Sequence, residues 1–239
     1  MPKIIIYTAI FGSYDDLIEP REFLSRKYDL KFICFTDRNF SSEIWDIINI
    51  SKKKRSNFEI NREIKFNPCS YLPEHDVSIY IDGNLEINSM IINIVDEFIN
   101  SNKELGIQKH DSSKSLHEEI SNCFARSKIT FKEYLKFKRI LNDENFVTNN
   151  SIIFRKETKF TRDFGELVMT GLLNISRDQL ITPSILKHHN ERIYFLPKCT
   201  DQFKYYRYIP HKEYREKHFI DKFLIKLNFY FKNFLVKIW

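Results

Sequence analysis

Hydrophobic and polar positions divide the chain into two kinds of segment. Short runs rich in Ile, Val, Phe and Tyr, bounded by polar turns, predict strands at 3–10, 31–36, 45–50, 77–81, 105–109, 151–154 and 192–196. Longer stretches between them predict helices at 58–72, 90–100, 115–124, 130–141, 159–173 and 178–188. This alternation predicts an α/β protein, with a sheet covered by helices on both faces.

The first apolar run is predicted to be a buried strand rather than a signal peptide. It contains Tyr7 and Thr8 and leads directly into Gly12 and Asp15, where a cleavage site would require small residues. No window reaches the ~18 apolar residues of a membrane span. Four widely spaced cysteines predict reduced thiols, so we expect a cytoplasmic protein.

Composition and charge indicate one folded domain at 1–210 and a basic, aromatic tail at 211–239. Hydrophobic residues make up 42% of the 239 residues, which excludes a disordered chain. The net charge is +6, but the tail alone carries seven basic and three acidic residues, or +4. The remaining +2 does not favour nucleic-acid binding by the domain, and no nucleic-acid partner is predicted.

Ligands of open α/β sheets bind beyond the carboxyl ends of the strands, which directs attention to polar residues after each apolar run. The sequence FGSYDD at 11–16 follows the first predicted strand. It predicts either a loop that receives a nucleotide or an ordinary glycine turn. The phosphate-binding patterns G-x-x-x-x-G-K and G-x-G-x-x-G are both absent.

A second candidate is the carboxylate of Asp82, which ends the apolar run 77–81 and precedes Gly83 and Asn84. A rigidly held oxygen ligand of this kind suits a hard cation that bridges a diphosphate. The alternative is an aspartate that caps a turn, because Asp-Gly is a common turn pair.

A third candidate is the pair Arg62 and Lys65, three residues apart on one face of a predicted helix. Together they could clamp a diphosphate, Arg62 in bidentate fashion and Lys65 as a point charge. The alternative is a solvated helix face with Glu59 and Glu63 as neighbours.

A fourth candidate is the start of the predicted helix at 178–188. Ser176, Arg177, Asp178 and Gln179 would face a ligand from a helix N-terminus. The alternative is a capping motif with Ser176 as N-cap. Lesser candidates of the same kind are Lys109-His110 and Asn149-Asn150.

Taken in order, these segments resemble the glycosyltransferase-like domains of plant seed-mucilage and turgor-related proteins and of bacterial polysaccharide gene clusters. The resemblance covers about residues 3 to 185. The matching text is YTAIFGSYDDL at 7–17 with Glu19-Pro20, FICFTDR at 32–38, Arg62, Lys65, SIYIDGN at 78–84, Lys109-His110 and RDQL at 177–180.

The resemblance implies a GT-A fold, in which a Rossmann-like mixed sheet flanked by helices binds a nucleotide-sugar donor. It implies a hexosyltransferase that acts on a glycan acceptor, free or lipid-linked, in the biosynthesis of lipopolysaccharide or capsule, with a UDP-sugar as the expected donor. The implied catalytic residues are Asp178, Gln179 and Arg177. The implied donor-binding residues are Thr8, Phe11, Gly12, Tyr14, Asp37, Arg62, Lys65, Asp82, Asn84, Lys109 and His110.

The sequence departs from the D-x-D pattern of that fold. Asn84 stands where a second carboxylate would lie, so Asp82 is the one expected metal ligand and dependence on Mn2+ or Mg2+ stays open. Cys69 stands where the family tends to have a His, and no role is assigned to it. Asp178 could serve as general base in an inverting reaction or hold sugar hydroxyls in a retaining one.

The tail predicts an amphipathic helix at 219–239. Lys222, Lys226, Asn233 and Lys237 form one stripe, and the remaining surface is apolar and aromatic. This pattern is typical of a helix that lies on an anionic membrane surface, here the inner face of the cell membrane, or of a helix that packs on the domain or on a partner chain. Loss of the second acidic residue after Asp82 also leaves room for an inactive sugar- or nucleotide-binding scaffold.

Overall fold

The computed structural model describes residues 1–21, 27–51, 53–110, 113–140, 146–197 and 202–238. Within these ranges the strands are β1 (Lys3–Ile10), β2 (Asp29–Thr36), β3 (Asp46–Asn49), β4 (Val77–Ile81), β5 (Leu85–Ile87), β6 (Leu105–Lys109), β7 (Thr148–Lys156), β8 (Ile193–Phe195) and β9 (Tyr206–Tyr208). The helices are α1 (Asn57–Phe66), α2 (Ile91–Asn100), α3 (Leu116–Ala125), α4 (Phe131–Ile140), α5 (Lys159–Leu172), α6 (Thr182–Leu186), α7 (Gln202–Tyr205), α8 (Lys212–Glu216) and α9 (Phe219–Ile238).

Seven strands form one mixed sheet in the order β3-β2-β1-β4-β7-β6-β8. The first four strands in this order are parallel, and β7 is antiparallel to both β4 and β6. The predicted fold class, an α/β sheet flanked by helices with a C-terminal helix, is confirmed.

Successive side chains of β1 explain why the sheet is covered on both faces. Ile4 and Ile6 belong to one buried cluster, whereas Ile5 and Tyr7 belong to another. Alternate residues of a strand point to opposite faces, so a strand that is apolar throughout must be buried on both. This explains the uninterrupted apolar run at the start of the chain.

Two predicted helices are shorter than expected, and proline is the reason in both. The helix predicted at 58–72 ends at Phe66, and Pro68 starts a separate 3-10 turn. The helix predicted at 178–188 is instead a 3-10 turn at Asp178–Leu180 followed by α6, with Pro183 at the start of that helix. Proline cannot donate the backbone hydrogen bond that a helix interior needs.

A small antiparallel sheet of β5 and β9 was not predicted. Each strand is three residues long, which is too short for a periodic signal. Leu85 pairs with Tyr208 and Ile87 with Tyr206. This pairing brings the chain after residue 205 back to the end of β4.

The tail forms α9 as predicted, and it lies beside α3. Asn228 and Lys232 donate hydrogen bonds to the Ser127 hydroxyl at 3.1 and 3.0 Å, and Leu235 and Val236 pack against the cluster of α3 and α4. None of the described α9 side chains is fully buried. In the described part of the chain, no helix is both long enough and apolar enough to cross a membrane.

Candidate functional site

The candidate site lies where the direction of strand addition reverses. From β1 the chain adds β2 and β3 on one side, and β4 lies on the other side of β1. Loops that leave the carboxyl ends of two such strands diverge and open a crevice, the usual ligand site of open α/β sheets. Gly12 follows β1 and Asp82 follows β4, so both predicted loops border this crevice.

Four charged side chains meet beside it. Lys65 Nζ lies 3.2 Å from Asp82 Oδ1 and 3.5 Å from Asp178 Oδ2, and an Arg62 guanidinium nitrogen lies 3.4 Å from Asp178 Oδ1. The side chains of Lys65 and Asp178 are only 2% and 3% exposed, whereas Asp82 is 34% exposed. We call Arg62, Lys65, Asp82 and Asp178 the four-charge cluster. Three of its members are mostly enclosed by protein, and Asp82, just after β4, is partly exposed.

Burial and the neighbouring charges shift the pKa values of Asp178 and Lys65. Burial alone would raise the pKa of Asp178, but the charges of Arg62, Lys65 and Arg177 outweigh it and hold that pKa well below its usual range. Burial lowers the pKa of Lys65, although Asp82 and Asp178 oppose the effect. Asp178 is therefore a permanently charged group at neutral pH.

Neutral side chains fix the two carboxylates. The Tyr80 hydroxyl donates to Asp82 Oδ1 at 2.9 Å, and Asn150 Nδ2 donates to Asp178 Oδ2 at 3.0 Å. Asn150 also lies 3.3 Å from the Thr182 hydroxyl. On α1, Asn61 Nδ2 donates to the Ala9 carbonyl at 2.6 Å, which fixes the helix that carries Arg62 and Lys65 against β1.

Arg62 retains an unused donor. Its Nε is buried and has no hydrogen-bond partner among the described residues. The same holds for Asn150 Oδ1 and Thr8 Oγ1. Buried polar atoms without partners are costly in proteins, so their concentration near this crevice is consistent with a polar ligand.

The loop after β1 contacts a segment near the C-terminus, at residues 211–212. Gly12 adopts φ +67° and its N–H donates to Asp37 Oδ1 at 2.8 Å. Asp15 carboxylate oxygens lie 2.9 and 3.0 Å from His211 Nδ1, and Lys212 Nζ donates to Asp16 at 2.9 Å. Residues 211–212 therefore hold the loop after β1 in place.

Two predicted donor-binding residues, Tyr14 and Asn84, also contact the segment 209–212. Tyr14 is half exposed, and its ring centroid lies 4.5 Å from that of His211. Asn84 Nδ2 donates to the Ile209 carbonyl at 3.1 Å. No group of three or more His, Cys, Asp or Glu side chains suited to a metal ion occurs in the described ranges. Asp82 and Asp37 are the carboxylates among the predicted donor-binding residues; Asp82 is partly exposed and Asp37 is exposed.

The remaining predicted site residues lie in several environments. Thr8 and Phe11 are buried on and just after β1. Arg177 donates to Gln179 Oε1 at 3.3 Å beside Asp178. Lys109 Nζ lies 4.4 Å from the centre of the Phe195 ring.

His110 belongs to a different contact group. Its Nδ1 accepts from the Ser113 N–H at 3.0 Å, and its Nε2 lies 3.8 Å from Glu119. The structure thus brings together Arg62, Lys65, Asp82 and Asp178, whereas the described contacts of Lys109 and His110 go to other residues.

Two of the alternative interpretations are wrong. Ser176 does not cap a helix: residues 178–180 form a 3-10 turn preceded by Arg177, and Ser176 donates to Glu133 at 3.0 Å. Arg62 and Lys65 do not lie on a solvated face, because Lys65 is buried and Arg62 points to Asp178.

Sequence reasoning missed Tyr80, Asn61 and His211 and gave Asn150 too little weight. Tyr80 and Asp82 are two residues apart at the end of β4. Alternate residues of a strand lie on the same face, so the sequence could have placed these two side chains together. No local signal connects His211 to Asp15, since 196 residues separate them. That contact depends on the pairing of β5 with β9.

No protein-family model matches this chain, and no curated protein matches its sequence. Its structure is similar to the crystal structure of mouse xyloside xylosyltransferase 1 in its apo form. The two sequences are 10% identical, the match covers 83% of this chain and 86% of the mouse chain, and the TM-score is 0.48. This likeness concerns the path of the backbone and carries no conclusion about the reaction.

Proposed function

We propose that this protein is a glycosyltransferase of GT-A type that moves a hexosyl group from a nucleotide-sugar donor to a hydroxyl of a glycan acceptor. The observation that carries the proposal is the four-charge cluster beside the crevice between β1 and β4. A UDP-sugar is the expected donor. The resemblance of residues 3–185 to glycosyltransferase-like domains of bacterial polysaccharide clusters favours a role in lipopolysaccharide or capsule synthesis.

Arg62 and Lys65 suit the departing diphosphate. Both are cations held at fixed positions away from bulk water, where their attraction for developing negative charge is stronger than in solvent. Stabilising the leaving nucleoside diphosphate lowers the barrier to breaking the bond between the sugar and the phosphate.

Asp178 suits hydroxyl binding better than proton abstraction. A general base works best when its pKa lies near the operating pH, whereas neighbouring cations hold the pKa of Asp178 far below that. We therefore assign Asp178 to orienting Arg62 and Lys65 and to accepting hydrogen bonds from the sugar, with Gln179 and Arg177 beside it.

Charge balance favours a divalent ion. The two cations of the cluster are already offset by two carboxylates, so a bound diphosphate needs additional positive charge. Asp82 is the carboxylate that could supply an oxygen ligand to Mn2+ or Mg2+ while phosphate oxygens supply others. Such an ion would contribute charge neutralisation of the leaving group.

A thermal-shift screen tests donor binding. The purified chain is melted with UDP-, GDP-, CMP- and dTDP-sugars, with and without Mn2+ or Mg2+. At 100 times Kd a ligand stabilises the native state by about 2.7 kcal/mol, which raises Tm by roughly 5 to 10 °C for a chain of this size. Arg62→Gln should abolish the shift, whereas Arg192→Gln, which removes a surface ion pair with Glu104, should leave it intact.

Turnover separates the enzyme from an inactive scaffold. A nucleotide-sugar that raises Tm should also be consumed, with release of the nucleoside diphosphate to an acceptor glycan or slowly to water. Binding without any release of diphosphate across a panel of acceptors would favour the scaffold. No Tm shift with any nucleotide-sugar would contradict both interpretations of this site.

We also propose that α9 docks the protein on the inner face of the cell membrane, where a lipid-linked acceptor would lie. One side of α9 packs on α3, and a neighbouring face exposes Phe223, Leu227, Phe234 and Ile238, each at least half exposed. The lysine stripe of α9 borders this face. Apolar burial and attraction of lysines to anionic headgroups act together in such helices.

Vesicle sedimentation tests the docking. We expect the protein to pellet with vesicles that contain phosphatidylglycerol and to do so less with neutral phosphatidylcholine. Phe223→Ser with Phe234→Ser should reduce binding at least tenfold, while Leu173→Ser, at another exposed position, should have no effect. Equal binding of the double variant would contradict docking through this face.

A further inference from the structure

A cavity lies on the other side of Lys65 from Asp82. It has a volume of about 150 Å3 and lies among the end of α1, the start of β4, the end of β7 and the start of α5. Its lining includes Arg155, Ser78, Cys69 and Arg162. We call it the Arg155 cavity. Its volume exceeds what a single buried water requires, so it can hold a small ligand.

Arg155 is the unusual member of this lining. Its side chain is almost fully buried, at 3% exposure, although it carries a positive charge. Its guanidinium donates to the Tyr7 hydroxyl at 3.0 Å and to the Lys65 carbonyl at 2.8 Å, both uncharged acceptors. Among the described residues no carboxylate lies within ion-pair distance of it, and its Nε has no hydrogen-bond partner.

The other charges of the lining do not compensate Arg155. Arg162 forms an ion pair with Glu157 at 3.1 Å, which leaves no net charge. Lys156 and Glu166 add one positive and one negative charge. Lys156 Nζ donates to the carbonyls of residues 99 and 101 at 3.1 and 2.6 Å. The described residues that line the cavity therefore carry a net charge of +1, at Arg155.

A buried guanidinium without a counterion is costly, and an anion within the same cavity would offset that cost. Ser78 is the direct cross-strand partner of Arg155 in the β4–β7 register, is also buried, and lines the same cavity, to which it brings a hydroxyl. Guanidinium and hydroxyl donors are the common partners of phosphate oxygens in proteins.

We propose that the Arg155 cavity binds a small oxyanion of phosphate type. This site is distinct from the proposed donor site, because Ser78 lies near the start of β4 and Asp82 lies beyond its end. Lys65 separates them: its carbonyl contacts Arg155 and its ammonium contacts Asp82. The inference does not rest on the transferase proposal.

Cys69 provides a local reporter of occupancy. It is the exposed thiol of the three described cysteines and lines the cavity, whereas Cys34 and Cys123 are buried and burial raises their pKa to about 12. The experiment follows alkylation of Cys69 by iodoacetamide, an uncharged reagent, with peptide mass spectrometry to resolve each thiol. Inorganic phosphate is titrated against sodium chloride at equal ionic strength.

Phosphate should slow alkylation of Cys69 by a factor of one plus the ratio of its concentration to Kd, which is about tenfold at nine times Kd. Chloride should have little effect. In Arg155→Met the protection should disappear, and in Ser78→Ala it should require severalfold more phosphate. In Arg62→Gln, which changes the proposed donor site, phosphate should slow alkylation of Cys69 as much as in the unmodified protein.

Two results would overturn the proposal. One is an alkylation rate in phosphate equal to that in chloride. The other is unchanged protection in Arg155→Met. If Arg155→Met does not fold, as judged by its melting curve, Ser78→Ala decides the matter: an unchanged phosphate dependence in that variant counts against the site.

Discussion

The charge on Asp178 should be a principal determinant of stability around the site, and Asp178→Asn tests this. The side chain is buried and accepts contacts from Arg62, Lys65 and Asn150 at 3.4, 3.5 and 3.0 Å. Asparagine keeps the shape but removes the charge, which leaves two buried cations with one fewer counterion. Breaking a buried ion pair in this way costs about 3–5 kcal/mol.

The effect of Asp178→Asn on the free energy of unfolding should also depend on pH, by an amount that can be calculated separately. The pKa of Asp178 in the folded protein lies below its value in the unfolded chain, about 3.9. Its contribution is therefore complete above pH 3.9 and is lost as the pH falls towards the folded pKa. The difference in unfolding free energy between the unmodified protein and Asp178→Asn should narrow by about 1 kcal/mol between pH 4 and pH 3.

Urea unfolding at pH 7, 4 and 3 measures both quantities. The matched control is Asp163→Asn, which removes an exposed ion pair with Lys159 and should cost at most about 0.5 kcal/mol. Combining Asp178→Asn with Lys65→Met should cost less than the sum of the two single changes, because each single change already removes the attraction between Lys65 and Asp178. Equal stability of Asp178→Asn and the unmodified protein at pH 7 would refute the reasoning, and so would a constant difference down to pH 3.

Three further predictions concern packing, backbone and ionisation. Gly165→Ala should lower the free energy of unfolding by at least 2 kcal/mol in urea, because its methyl group would lie 2.0 Å from the Phe66 carbonyl oxygen; Gly171→Ala meets only a side chain and should cost less. Gly12→Ala should cost about 1 kcal/mol in the same assay, since alanine disfavours φ +67°; an unchanged midpoint would contradict this. Burial raises the pKa of Tyr7 to about 12, so Tyr7→Phe should leave the 295 nm titration unchanged below pH 11 while the protein stays folded.

The predicted sites differ in how far the sequence could place them. The sequence singles out Asp82 as a candidate because a strand that is apolar on both faces ends in a carboxylate, which is a local pattern. It singles out Arg62 and Lys65 as a candidate pair because helical spacing puts them on one face. Their convergence on Asp178 could not be predicted, since that depends on how α1 and the turn after α5 pack on the same end of the sheet.

The sequence by itself determined the elements of this protein and their order. Periodicity located the seven strands of the main sheet and most helices, because buried strands and amphipathic helices leave patterns within ten or so residues. The tertiary structure alone decided which charges are buried together, that residues 211–212 contact Asp15 and Asp16, and that Arg155 is buried with no carboxylate of the described ranges at ion-pair distance. Those features arise from contacts between residues far apart in the chain, and their energies depend on burial and distance, which no local pattern records.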